Sequence, residues 1–210
     1  MSALRVGLTG GLASGKSTVA GWLRDAGFLV VDADRVVADL YRPGQPGVEA
    51  VRALFGDGVI KPDGSVDHAA VGGRVFSDPE ARRALEKAIH PLVRQRFQEM
   101  AGEAREEVVV LEATLLVEAG FGPSFDLIVT VEADCEARLR RAVERGMDEE
   151  SARARLLAQG DGEIRRAAAH RAIDNSGGLE HLRHQVDELI VELRRLAQDR
   201  EQADEGQPEA

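Results

Sequence analysis

The stretch Gly7-Leu-Thr-Gly-Gly-Leu-Ala-Ser-Gly-Lys-Ser-Thr-Val19 constrains this chain more than any other. Within it, Gly10-x-x-x-x-Gly15-Lys16-Ser17 has the spacing of a phosphate-binding loop. The chemistry asks for these residue types. Glycine lets the backbone turn tightly, so that successive N–H groups point inward at phosphate oxygens, and the helix that follows presents its positive end. Lysine is a compact charge on a flexible stem that reaches β- and γ-phosphates, where a planar guanidinium is bulkier and stiffer. Only three lysines (Lys16, Lys61, Lys87) occur among 27 basic residues, and one of them stands here. The Ser17 hydroxyl is small enough to ligate Mg²⁺, which prefers oxygen. Gly10, Gly11, Leu12, Ala13, Ser14, Gly15, Lys16, Ser17 and Thr18 are the expected cradle for the phosphates of a nucleotide.

The flanking pattern supplies the context this loop needs. Arg5-Val-Gly-Leu-Thr9 predicts a buried strand before it. After it, Val19, Trp22, Leu23 and Ala26 recur at helical spacing, and Gly27 stands where a helix end wants a left-handed residue. Phe28–Asp32 reads as a second apolar strand, so the order is strand, loop, helix, strand: a βαβ unit of a doubly wound parallel sheet. Glu107–Glu112 and Asp126–Val131 predict two more buried strands, and Ala172–Asp174 a short fifth.

Between the second and third strands lie about seventy residues of helical character, too many for a plain crossover and a candidate substrate-binding subdomain. Pro46 and Pro79 stand where helices begin, Asp78 is placed to cap the latter, and Lys61-Pro-Asp-Gly64 is a turn. Leu85, Ile89, Val93, Phe97 and Met100 form a helical stripe, which Pro91 should kink. Residues 137–171 read as helical and arginine-rich, and a stripe from Leu179 to Leu196 predicts a terminal helix packed on the sheet. The expected boundaries are a core at about 1–34, 105–136 and 172–198, a helical insertion at 35–104, and a lid at 137–171. Residues 199–210 lack large apolar side chains and read as a disordered acidic tail.

Composition narrows the function. The net charge of −10 argues against a broad nucleic-acid footprint. The single cysteine, Cys135, excludes an intramolecular disulfide and suits a reducing compartment. No apolar run approaches the ~18 residues of a membrane span and no signal-peptide pattern opens the chain, so a soluble cytoplasmic protein is expected. The oligomeric state is left open, with a monomer the simplest expectation.

Three further features are read in two ways each. Asp34, just past the second strand, is either a base for an attacking hydroxyl or the cap of a helix beginning at Arg35. Glu112, at the end of the third strand, either holds a metal-bound water or lies in solvent. Arg141 and Arg145, four apart, either close over a transferring phosphoryl group or belong to a solvated helix face.

Taken in order, Thr9–Thr18, Asp32-Ala-Asp34, Ile89-His-Pro-Leu92, Leu115-Leu-Val-Glu118, Arg138-Leu-Arg-Arg141 with Arg145, Ala158-Gln159 and Ile173-Asp-Asn-Ser-Gly177 resemble the dephospho-CoA kinase family. The resemblance covers roughly residues 4–196. It implies a P-loop kinase fold, three-layer α/β/α with a five-stranded parallel sheet, a helical CoA-binding insertion and an arginine-bearing lid. It also implies ATP-dependent, Mg²⁺-assisted phosphorylation of 3′-dephospho-CoA to coenzyme A. Carried over by position, Asp34 resembles the family's base, with Lys16 and Arg141 as its catalytic partners. Arg145 and Asn175 fall at the ATP site, Asn175 near its adenine. Thr9, His90, Pro91, Leu115 and Leu116 fall where the acceptor is held. Thr114, Gly160-Asp161, Arg165 and Glu112 depart from the family's usual residues. The competing readings are another small-molecule P-loop kinase and a non-catalytic nucleotide sensor. A GTPase lacks support, because Asn175 is the only asparagine and Ser176 follows it, so no Asn-Lys-x-Asp stretch exists.

Overall fold

A computed structural model describes residues 3–205. It divides into two compact units, Met1–Val31 with Ala101–Ala210, and Asp32–Met100.

The first unit is built on a five-stranded parallel sheet, β1 (Leu4–Thr9), β2 (Leu29–Asp32), β3 (Val108–Glu112), β4 (Leu127–Glu132) and β5 (Arg171–Asp174), in the order β2-β3-β1-β4-β5. Side chains alternate along a strand, and the sequence uses both faces. Leu4, Val6, Leu8, Val108, Val110, Leu127, Val129 and Val131 join one core with Val19, Ala20 and Leu23 of α1 (Lys16–Asp25) and the stripe Leu182, Val186, Leu189 and Leu193 of α9 (Leu179–Glu205). On the other face Gly7 lies against Leu116 and Phe125. The strands carry apolar residues on both sides because both sides are covered, as parallel sheets require.

Helix signals in the sequence fall where expected. The Gly27 N–H closes on the Arg24 carbonyl with φ of 92°, ending α1. Helices α6 (Cys135–Glu144), α7 (Glu149–Ala158) and α8 (Glu163–Ala168) occupy the arginine-rich segment. One boundary moves. Helix α9 continues through Asp199 to Glu205, so the expected disordered tail begins no earlier than the last five residues, which lie outside the described ones. Within this extension Arg200 donates to Asp126 at 2.7 Å, and Arg5 holds the same carboxylate at 3.0 Å.

Burial raises the pKa of Asp126, but the hydrogen bonds from Arg5 and Arg200 outweigh it and bring the group to about 2. A carboxyl depressed in the folded state contributes stability that is complete above its ordinary pKa and is lost as pH falls through about 2. After discounting for solvent screening, the contribution is about 1 kcal/mol. Asp126→Asn is therefore expected to lower Tm by about 3 °C at pH 7 and to flatten the acid limb of a thermal-melt series between pH 4 and 2.

The second unit is helical: α2 (Ala33–Leu40), α3 (Pro46–Phe55), α4 (His68–Ser77) and most of α5 (Pro79–Glu103). Asp78 caps α5 by accepting from the N–H groups of Glu80 and Ala81 at 2.8 and 3.1 Å. Ile89, Val93 and Phe97 bury the predicted stripe, and the helix runs unbroken across Pro91. The Lys61–Gly64 turn closes with a 2.9 Å hydrogen bond.

Candidate active site

The loop between β1 and α1 takes the shape its glycines permit. Gly15, with φ of 103°, precedes the first turn of α1, whose leading N–H groups have no acceptor within the helix. A Cβ at Gly15 would fall 2.0 Å from Nδ2 of Asn175. That amide donates to the Ser14 carbonyl at 2.7 Å and is itself buried. Asn175 therefore fastens the loop from beneath, and its side-chain N–H is already engaged there. Ala13 is the one non-glycine of positive φ among the described residues, at 56°, which gives the loop the alternating turn of an anion nest.

Lys16 and Ser17 open α1, Lys16 half-buried and Ser17 exposed. Lys16 Nζ lies 3.4 Å from Glu112 Oε1, and Arg24 approaches the other oxygen at 3.7 Å. The Glu112 side chain is 11% exposed, so its reading as a strand-end residue in solvent is overturned. At the carboxyl end of β3, beside β1, the fold presses it against the lysine of the loop.

Leu12 departs from its expected part in the cradle. Its N–H donates to Gln159 Oε1 at 2.7 Å and its carbonyl accepts from Arg138 Nε at 2.9 Å, while Arg138 Nη2 donates to the same Gln159 oxygen at 3.0 Å. Arg138 is buried, 5% exposed. Burial, and then the charge of Arg165, pull its pKa below the ordinary guanidinium value, though it remains a cation at neutral pH.

Arg165 is wholly buried and donates to Glu118 at 2.6 Å, with Glu132 at 3.8 Å; Thr130 donates to Glu132 at 2.6 Å. Arg141 Nη2 donates to the Asn175 carbonyl at 2.9 Å, while its Nη1 is buried with no partner among the described residues. An unpaired guanidinium donor beside a phosphate loop is what an arriving anion would satisfy. Arg145, by contrast, is exposed at the end of α6, so the two arginines do not form a matched pair on one buried face.

Other expected site residues divide. Thr9 is fully buried and its hydroxyl donates to the Thr114 carbonyl at 3.1 Å, so it secures the end of β1 instead of facing a ligand. Leu116, 1% exposed, belongs to the core against Gly7, whereas Leu115 is 44% exposed. A residue expected to line a pocket is thus core, because a leucine pair in a tight turn sends its side chains in opposite directions. In the second unit, Asp34 is not a helix cap. Asp32 holds that position, accepting from the Asp34 N–H at 2.8 Å, and Asp34 lies exposed in the first turn of α2. Burial lowers the pKa of His90, opposed by Glu86 and aided by Arg94. Arg138 and Gln159 stand in stretches that carry the family resemblance, but the sequence assigns them no role. Their partner Leu12 is 126 and 147 residues away, so no local pattern reveals the contact.

A parallel sheet with a Gly-Lys-Ser loop leading into α1, backed by buried arginines, defines a P-loop kinase. A shikimate kinase from Bacteroides thetaiotaomicron shares this fold alone, at 16% identity and a TM-score of 0.52 over 91% of this chain and 98% of that one. Sequence comparison goes further. A family model described as dephospho-CoA kinase matches residues 4–181. A dephospho-CoA kinase from Corynebacterium glutamicum is 41% identical over 90% of this chain and 97% of its own, and one from Leifsonia xyli subsp. xyli is 44% identical over 90% and 98%. A crystal structure of a Thermus thermophilus protein superposes with a TM-score of 0.78 at 35% identity, over 92% of this chain and 99% of that one. The chain belongs to the dephospho-CoA kinase family.

Proposed function

We propose that this chain transfers the γ-phosphoryl group of ATP to the ribose 3′-hydroxyl of 3′-dephospho-CoA, giving ADP and coenzyme A, the last step of coenzyme A synthesis. One observation carries the reading: a fully formed Gly-Lys-Ser phosphate loop at the head of α1, in a chain similar along nearly its whole length to dephospho-CoA kinases.

The roles follow from the chemistry. The amides of the loop and Lys16 hold the β- and γ-phosphates, Lys16 leaving Glu112 as the nucleotide arrives. Asp34, uncommitted to capping, accepts the proton of the 3′-hydroxyl. The bond from that oxygen to Pγ forms as the bond from Pγ to the β,γ-bridging oxygen breaks, in line and with no covalent enzyme intermediate. Arg141 turns its free Nη1 to the transferring group, and Arg145 is assigned to the donor phosphates. His90, Pro91 and exposed Leu115 are assigned to the acceptor. Residues 35–104 are its binding insertion and 137–171 the lid that excludes water.

The donors available fit Mg²⁺: an exposed Ser17 hydroxyl and the Glu112 carboxylate, both oxygen, with no cluster of three or more acidic, His or Cys side chains among the described residues. Magnesium keeps most of its waters and binds chiefly through substrate phosphates, and when bound it would neutralise charge on the transferring group. No described helix is long and apolar enough to cross a membrane, and we assign the reaction to the cytoplasm, with a monomer as the working unit.

Coupled measurement of ADP release tests the reading. Release is expected only when dephospho-CoA is present. ADP formation with shikimate or a nucleoside monophosphate but not dephospho-CoA, or ATP binding with no acceptor-dependent turnover, overturns it. Arg141→Ala is expected to lower kcat about 100-fold while changing ATP affinity less than about threefold, because its donor meets charge that develops in the transition state. Full activity would transfer the role to Arg145.

A further inference from the structure

We propose that Arg138 and Gln159 form a strap that fixes the phosphate loop through the backbone of Leu12, and that the chain's affinity for ATP depends on it. The inference rests on the kinase reading above and adds positioning residues to it.

Three hydrogen bonds close a ring. Arg138 Nε donates to the Leu12 carbonyl at 2.9 Å, Leu12 N–H donates to Gln159 Oε1 at 2.7 Å, and Arg138 Nη2 donates to that same oxygen at 3.0 Å. Both polar groups of one loop residue are thereby committed to side chains from α6 and from the end of α7. A loop whose middle residue is held at both its N–H and its carbonyl presents its remaining amides in one arrangement. Without the strap, ordering falls to the nucleotide and weakens its binding.

The glycine at position 11 belongs to the same device. A Cβ there would fall 2.1 Å from Arg138 Nη2 and 2.6 Å from Cζ, so the guanidinium can reach Leu12 only because that side chain is absent. Gly11 has no positive φ, so the alanine backbone is unstrained and the only conflict is with Arg138. A cavity of about 670 Å³ is lined in part by Arg138, Leu139, Leu156 and Leu157. Two hydrogen bonds, to the Leu12 carbonyl and to Gln159, hold Arg138 on the loop.

Direct titration of the intact chain with ATP, without acceptor, tests the strap. Gln159→Met removes the shared acceptor, Arg138→Lys keeps the charge but not the fork, and Gly11→Ala displaces the guanidinium. Each is expected to weaken ATP binding at least about tenfold. In turnover each is expected to raise KM for ATP far more than it lowers kcat, with KM for dephospho-CoA unchanged. Gln159→Glu, which retains the acceptor oxygen, is expected to bind ATP within about threefold of the parent. The Gly11→Ala/Arg138→Lys double variant is expected to be no weaker than the worse single one, since both act on one contact. Near-parental binding by Arg138→Lys would show that only charge is needed and overturns the strap, as would additive losses in the double variant or near-parental binding by Gln159→Met. Should Arg138→Lys fail to fold, Gln159→Met and Gly11→Ala decide the matter. Failure of the unaltered chain to bind ATP would instead overturn the kinase reading.

Discussion

Asp34→Asn is expected to reduce kcat about 1,000-fold, within the range that a positioned base contributes, while leaving ATP affinity near its parental value. Asparagine keeps the size and shape of the side chain and removes its capacity to accept a proton. Position 34 makes this a clean experiment. The cap of α2 is Asp32, so the substitution uncaps no helix. The Asp34 side chain is exposed, so no buried partner is orphaned. The remaining structural effect is the loss of one favourable charge from the first turn of a helix, about 0.5 kcal/mol. Single-turnover measurements with saturating ATP and dephospho-CoA separate this from any change in binding. A kcat within about threefold of the parent removes Asp34 from the mechanism.

Lys16→Ala is expected to act on both binding and rate, with kcat/KM for ATP down about 1,000-fold or more. The lysine supplies the only mobile charge of the loop, and it contacts the phosphates in the ground state and the transition state alike. The structure adds a consequence for the nucleotide-free protein. Removing Lys16 leaves Glu112, 11% exposed, with Arg24 at 3.7 Å as its remaining cation, so a loss of about 1 kcal/mol of stability accompanies the loss of activity. Lys16→Arg should recover most of that stability and little of the turnover, since a guanidinium can pair with Glu112 but does not fit the loop's curve. Equal recovery of both would mean that charge alone matters at this position.

What the sequence determined by itself was whatever depends on neighbours within a few residues. The phosphate loop, the alternation that buries both faces of β1, β3 and β4, the cap at Asp78 and the glycine that ends α1 are all set by backbone dihedrals and periodicity. Local chemistry also placed Asp34 just past β2, though only the folded backbone decides that Asp32 takes the cap and leaves Asp34 uncommitted.

Tertiary structure decided which side chains meet. The strand order β2-β3-β1-β4-β5 sets β3 and β4 on either side of β1. That arrangement brings Glu112 to Lys16, and Asn175, beyond the end of β5, to Ser14. It likewise brings Arg138 and Gln159 onto Leu12, sends Leu116 into the core while Leu115 stays exposed, and pairs Arg200 of α9 with Asp126. These partners are separated by about a hundred residues or more in most cases, and a hydrogen bond acts only across about 3 Å. No periodicity carries information over that separation, so the packing of the sheet had to supply it.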